Sequence, residues 1–381
     1  MNRRGFLQAA ALVPLAAQAV SPREWIAAII GHTGAGNYGH GLDTLFNGRA
    51  EAITVAAVAD VHETGRARAA KVSGAKRQYA DYREMLAKEK PELVNIGPRW
   101  TVEHHAMGMA ALRSNAHVFM EKPFVHVLAE ADEMLAEAKK RNRKFIVAHQ
   151  MRMAPSLLFL KDQIAAGLIG DLLEIHTLGK MDARAGGEDM MVLGSHLFDL
   201  VRLFAGDPLW CTARIREQGR EVTLKDVKQS KREKIGPLIG DEINAQFALP
   251  KGVIATFTSR AKQRAISGGY GLRLVGSKGV VKFNAGYHPT VLLQKRNASS
   301  ETWERLPGDP ALKPPEKPSR HGVNNRLVDD WFSAIIKNHE PAASAFHAMK
   351  AIEMIMAVQT AGLHQTRVPL PLKNRRNPLA G

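Results

Sequence analysis

The sequence predicts an α/β chain in two halves: a doubly wound parallel sheet, then an α+β half with an open, largely antiparallel sheet. Three observations predict it. A continuous apolar run, Trp25 to Ile30, enters a glycine-rich segment and then a helix-like stretch, Leu42 to Asn47. Apolar strands and helical patterns then alternate as far as Ala148. Beyond that point strands are joined by short turns instead of helices.

In the first half, Gly31-His32-Thr33-Gly34-Ala35-Gly36-Asn37-Tyr38-Gly39-His40-Gly41 contains the spacing Gly34-x-Gly36-x-x-Gly39, with Asn37 inside it. Small residues there let the backbone turn and approach a pyrophosphate at a helix N-terminus. The extra glycines leave the register open, since Gly31 also fits as the first of the set. A second strand, Ile53 to Ala59, ends in Asp60, twenty-one residues after Gly39. An acid at that place accepts hydrogen bonds from an adenosine ribose and repels a 2′-phosphate, so NAD is expected ahead of NADP. Arg66 and Arg68 keep NADP as the alternative, and a helix N-cap is the other role open to Asp60. Leu93 to Ile96, His117 to Met120 and Phe145 to Ala148 continue the strands, with helices through Met107 to Leu112 and Ala129 to Lys140. Ligands bind beyond strand C-termini in such sheets, where Gly97-Pro98-Arg99-Trp100 and Glu121-Lys122-Pro123 fall.

In the second half, Leu172 to Gly179 and Leu209 to Arg216 read as strands. Asn244 to Leu249 pairs with Val253 to Arg260 across Pro250-Lys251-Gly252, and Leu272 to Val275 pairs with Val280 to Asn284 across Gly276 to Gly279. Pro307 to Arg320 reads as a loop, Val323 to Lys337 and Ala342 to Leu363 as helices, and the basic C-terminus as an extended arm. Asp189 to Phe204 reads as one helix, with Val192, His196 and Asp199 on one face at spacings of four and three. The expected organisation is residues 1–19 as a signal, 20–148 as a nucleotide-binding domain, 149–370 as a substrate domain and 371–381 as a basic tail.

Composition narrows the function. The 381 residues are 45% hydrophobic and 24% charged, a globular balance, and no apolar run is long enough to span a bilayer as a mature helix. The single cysteine, Cys211, excludes an internal disulfide and any multi-thiolate metal site. No His/Asp/Glu grouping has metal-ligand spacing, so no metal is expected. The net charge of +16 is spread along the chain, with only short clusters and no interleaved aromatics, so no nucleic-acid partner is expected. At the N-terminus, Arg3-Arg4-Gly5-Phe6-Leu7 precedes an apolar stretch, Ala9 to Ala17, and the small-residue site Ala17-Gln18-Ala19. This resembles a twin-arginine signal cleaved near Ala19, which implies a folded protein exported to the periplasm.

In order, the glycine loop, Asp60, Glu121-Lys122-Pro123, Gly167-Leu168-Ile169-Gly170 and Gly194-Ser195-His196-Leu197-Phe198-Asp199 resemble the Gfo/Idh/MocA family of NAD(P)-dependent oxidoreductases. The resemblance implies a Rossmann domain holding NAD through Gly34, Gly36, Asn37, Gly39, Asp60, Pro98, Glu121 and Lys122. It implies that Lys122 points at substrate and nicotinamide, with a cis peptide to Pro123, and that His196 is the general base. It also implies homodimers or homotetramers through the C-terminal sheet. The sequence departs from the pattern at Val192, where sugar dehydrogenases of the family carry an aspartate. Asp189 is the expected replacement as a catalytic group, with Trp100, Arg152 and Asp199 as substrate contacts. The implied activity is hydride transfer between a sugar, sugar acid or cyclitol and a tightly bound nicotinamide cofactor. Two alternatives stand beside it: glycoside cleavage through transient oxidation, elimination and re-reduction, and a non-catalytic carbohydrate-binding protein.

Overall fold

Six strands follow one another in the first half: β1 (Trp25–Ile30), β2 (Ile53–Ala59), β3 (Arg77–Tyr79), β4 (Leu93–Ile96), β5 (His117–Met120) and β6 (Phe145–Val147). They form one parallel sheet in the order β3-β2-β1-β4-β5-β6, so the order reverses between β1 and β4 and leaves a crevice at their C-terminal ends. The computed structural model describes residues 23–49, 52–230, 233–261, 269–295, 302–310 and 320–380. The expected signal and most of the expected Pro307–Arg320 loop lie outside the described residues. The connecting helices are α1 (Glu63–Ser73), α2 (Tyr82–Glu89), α3 (Thr101–Arg113) and α4 (Leu128–Lys140). The stretch after the glycine loop is a single 3₁₀ turn, Leu42–Thr44, instead of the expected longer helix, and Gly41 enters it with a left-handed φ of 82°.

A 3₁₀ turn at Gln150–Met153 leads into α5 (Pro155–Ala165), which starts on proline, and then into β7 (Leu172–Leu178). After β7 comes the short helix α6 (Ala185–Asp189), then a wide π-helical turn, Met190–Gly194, then α7 (Ser195–Ala205). The expected single helix is therefore broken. A Cβ on Gly186 or Gly187 would collide with the backbone of Gly240 or Ile239, and Gly186 has a φ of 62° that a regular helix does not allow. The π turn shifts the register, so Val192 and His196 are not one α-helical turn apart.

The remaining strands are β8 (Trp210–Glu217), β9 (Arg220–Glu221), β10 (Lys228–Gln229), β11 (Pro237–Leu238), β12 (Glu242–Ala248), β13 (Ile254–Arg260), β14 (Gly271–Gly276), β15 (Gly279–Asn284), β16 (Val291–Lys295), β17 (Glu304–Arg305) and β18 (Val368–Pro369). Their main sheet has the order β17-β16-β15-β14-β7-β13-β12-β8-β18, antiparallel except where β13 runs parallel to β7. In β13, Ala255, Phe257 and Ser259 are buried, whereas Thr256, Thr258 and Arg260 are half-exposed on the other face. The buried face packs on α7 and on α9 (Ala345–His364). Among the described residues no helix is long and apolar enough to cross a membrane.

Two features tie the halves together. Helix α8 (Arg320–Lys337) follows the second sheet in sequence yet packs on the first: Leu327, Val328 and Trp331 share a core with Trp25, Ile29, Val55 and Phe119. Helix α8 therefore packs with the first half although it lies far beyond residue 149 in sequence. The C-terminal tail is not a free arm either. Arg375 donates to Asp132 of α4 at 2.6 Å and also to Glu353 of α9, Asn377 Nδ2 donates to the His126 carbonyl at 2.7 Å, and Leu379 is buried. Glu353 is 2% exposed, so removing Arg375 weakens the pairing of a buried carboxylate whose other partners are Lys350 and the Leu372 amide. Arg375→Ala is expected to lower stability by about 1–3 kcal/mol, read as an earlier urea midpoint at unchanged slope. An unchanged midpoint would show that the tail does not hold the halves together.

Candidate active site

The glycine loop rises from β1 and folds over the end of β4. A Cβ on Gly36 would meet the Arg99 amide nitrogen at 2.2 Å, and one on Gly39 would meet the Glu121 carboxylate at 2.4 Å. These two glycines let the loop lie directly on the segments that follow β4 and β5. Asn37 takes a left-handed φ of 55°, and its Oδ1 accepts from Gly34 N at 3.0 Å. Above Gly34 the space is open: a Cβ there would meet only His62, at 3.9 Å. Crevice, glycine turn and open crest fit a dinucleotide. Asp60 turns inward instead. It is 2% exposed and accepts from Thr33 N, Thr33 Oγ1 at 2.7 Å and His62 N at 2.9 Å. Burial pushes its pKa up, but these donors outweigh burial and hold the carboxyl below its usual range. In this structure Asp60 fixes the loop.

Glu121 is fully buried beneath that loop. It accepts from His40 N at 2.9 Å, from Lys122 N at 2.7 Å and from the His40 ring. Burial alone would raise its pKa, but His40 and Lys122 prevail and lower it to about 2. The Lys122-Pro123 peptide is cis, as the resemblance implies. Lys122 is 4% exposed, with Nζ 3.4 Å from the Val192 carbonyl. Burial lowers its pKa, Glu121 and Glu233 oppose that, and Arg99 and Arg184 add to it.

Lys122 and His196 line the same cavity, of about 310 Å³, with His40, Arg99, Lys180, Arg184, Val192, Glu233 and Tyr270. That volume suits a small ligand. His196 is 5% exposed, and its Nδ1 is buried with no hydrogen-bond partner among the described residues. Burial first, then the charge of Lys122, hold its pKa well below the usual histidine value, so the imidazole is neutral at pH 7. The His149 ring stands 5.2 Å away with its Nε2 equally unpartnered. Behind it, Asp199 Oδ2 lies 3.8 Å from His149 Nδ1, and both Asp199 oxygens accept from Arg152 Nε at 3.1 Å. The sequence of groups is Lys122, His196, His149, Asp199, Arg152.

The cavity contains Lys122 and His196 but not the other expected contacts. Arg152 and Asp199 are buried against each other, where Arg152 holds the Asp199 carboxyl below its usual range; they support His149 and do not line the cavity. Asp189 is buried and accepts from Ser259 Oγ at 2.7 Å, Met181 N at 3.0 Å and Lys180 N at 3.2 Å. It secures the segment that carries Lys180 and Arg184. Trp100 stands at the N-cap position of α3 with Lys234 5.1 Å from its ring centre, outside the cavity. Pro98 is buried, and its carbonyl faces His104 Nε2 at 2.7 Å, fixing the turn that presents Arg99. His40, His149, Arg184, Glu233 and Tyr270 were not singled out from sequence. His40 alone carried a signal, because it directly follows the glycine motif.

Residues 27–149 match the model for the Gfo/Idh/MocA oxidoreductase family's NAD-binding Rossmann fold, and residues 161–370 match its C-terminal alpha/beta domain. The chain belongs to that family, and its first domain is an NAD-binding Rossmann domain. An uncharacterized oxidoreductase of Schizosaccharomyces pombe is 24% identical over 325 residues, 77% of this chain and 84% of the relative. Inositol 2-dehydrogenase of Salmonella typhimurium is 33% identical over 128 residues, 32% of this chain and 37% of the relative. A solved levoglucosan dehydrogenase in complex with NADH and levoglucosan superposes with a TM-score of 0.73 at 16% identity, covering 92% of this chain and 100% of that one.

Glu121 is the anchor that can be tested without a substrate. Its folded pKa lies below its ordinary value of 4.5, so its contribution to stability is complete above pH 4.5 and is lost as pH falls toward 2. Between pH 5 and 3, wild-type stability is expected to fall more steeply than that of Glu121→Gln, by about 1–3 kcal/mol across the interval. Parallel curves from denaturant titrations would contradict the anchor.

Proposed function

We propose that this chain transfers a hydride between a hydroxyl-bearing carbon of a carbohydrate or cyclitol and a nicotinamide, with His196 as the base and Lys122 as the partner of the developing alkoxide. The observation that carries the reading is the shared cavity: a buried lysine and a buried, neutral, unpartnered histidine line one small site. Loop, Glu121 and crevice would hold the dinucleotide, which when bound supplies the hydride acceptor or donor. His196 accepts the substrate hydroxyl proton, because a neutral imidazole has a free lone pair and no competing partner. Once protonated, it lies near the Lys122 charge, and His149, backed by the Asp199 carboxylate, offers the proton a second site. Lys122, whose burial makes its proton easier to release than a surface lysine's, stabilises the alkoxide and orients the hydroxyl. Val192 adds only its carbonyl, facing Lys122, and no side-chain acid.

The N-terminal Arg3-Arg4 pattern supports export as a folded protein, and export favours a dinucleotide bound before translocation and kept through turnover. A retained cofactor must be reset by its own substrates, so net oxidation coupled to a second reduction and net hydrolysis through transient oxidation both suit it. Denaturing the purified mature protein and assaying the supernatant is expected to release dinucleotide stoichiometrically; an empty protein would remove the retained-cofactor reading. Lys122→Ala and His196→Asn are each expected to slow hydride transfer about 10²–10⁴-fold without loss of bound dinucleotide, measured by single-turnover nicotinamide absorbance. Full activity in either variant would remove its assigned role.

A further inference from the structure

The charge lining the cavity exceeds what a neutral sugar requires. Among the described residues four basic side chains face it, Arg99, Lys122, Lys180 and Arg184, against one lining acid, Glu233. Asp182 lies behind the wall, bonding Arg184 Nε at 2.9 Å and lying 3.5 Å from Lys180 Nζ. Glu121 stands beside Lys122, so three acids oppose the four basic side chains and one positive charge is left over. Arg99 is the least satisfied of the four. Its nearest acid, Glu233, stands 3.5 Å from Nη2, and its Nε is buried with no hydrogen-bond partner among the described residues. A buried guanidinium N–H without an acceptor is costly, and a planar two-oxygen acceptor suits the guanidinium fork.

Building on the oxidoreductase reading, we infer that the substrate carries a carboxylate, as in a uronic or aldonic acid, and that Arg99 binds it with the Lys180–Arg184 pair alongside. The group to be oxidised then lies at the Lys122–His196 end of the cavity, and the acid group at the Arg99 end. The arrangement also affects the lysine. Burial lowers the pKa of Lys122, and Arg99 and Arg184 add to that, so a bound carboxylate near them favours the ammonium form. The small cavity favours a monosaccharide acid over a longer anionic chain.

Titration calorimetry of the dinucleotide-loaded protein tests this with D-glucuronate and D-galacturonate, their neutral hexoses, and glucose 6-phosphate. At least one uronate is expected to bind 10-fold or more tightly than its neutral hexose and more tightly than the phosphate. Arg99→Gln is expected to cut that advantage about 10- to 100-fold. If Arg99→Gln does not retain dinucleotide, Arg184→Gln is measured in its place with the same expectation. Equal affinities, binding by neither uronate, preference for the phosphate, or an advantage untouched by the variant would overturn the proposal. Nicotinamide absorbance recorded in the same titrations separates the two readings. Uronate binding without reduction counts against the dehydrogenase, whereas reduction by hexoses with no acid preference counts against the carboxylate site alone.

Discussion

Lys122 brings an amine into a buried site, and much of the surrounding architecture offsets the cost. A buried ammonium without a countercharge loses several kcal/mol of hydration, so it is tolerated only with compensation or when its proton is easily released. Both conditions are met here. Glu121, the preceding residue, is itself fully buried and stays ionised through His40 and the Lys122 amide, giving the lysine a fixed negative neighbour. Arg99 and Arg184 act in the opposite direction and keep the ammonium from being over-stabilised. The glycine loop belongs to the same arrangement, because a side chain at position 39 would occupy the Glu121 carboxylate's place. Nucleotide loop and reactive lysine are therefore coupled through one carboxylate.

A site formed between two sheets keeps its geometry only if the sheets are held together. Helix α8 returns to the first sheet after the second is built, placing Trp331 in the first core with its Nε1 donating to the Lys144 carbonyl. The tail closes the other side through Arg375, Asn377 and Leu379, and Asn377 reaches His126, four residues after Lys122. Lys122 and His196, seventy-four positions apart, owe their shared cavity to these ties as much as to their own strand and helix.

The first sheet was legible because β1, β2, β4 and β5 are short, mostly apolar runs followed by glycine or an acid, a pattern that needs no tertiary information. β3, Arg77–Tyr79, was not, since an edge strand of three polar or half-exposed residues carries no periodic signal. The helix containing His196 was read in the wrong register because a π turn leaves no mark in local composition; only the approach of Gly186 and Gly187 to Gly240 and Ile239 produces it. In the site, Lys122 and His196 were readable from motifs, whereas Asp189, Arg152 and Asp199 were placed at the ligand when they in fact brace the wall. Charged residues near a motif look alike in sequence, and only their partners separate a contact from a brace. His149 lay beside the domain crossover with no spacing to announce it, and its significance comes from the His196 ring across the fold.

The proposed chemistry requires the nicotinamide to occupy the space between a buried lysine and a neutral histidine. A crystal structure of the mature protein with reduced dinucleotide tests that most directly. The nicotinamide ring is expected within contact distance of both Lys122 Nζ and His196, with the pyrophosphate over the Gly34–Gly39 turn. A ring bound elsewhere, or either side chain turned out of the cavity, would contradict it.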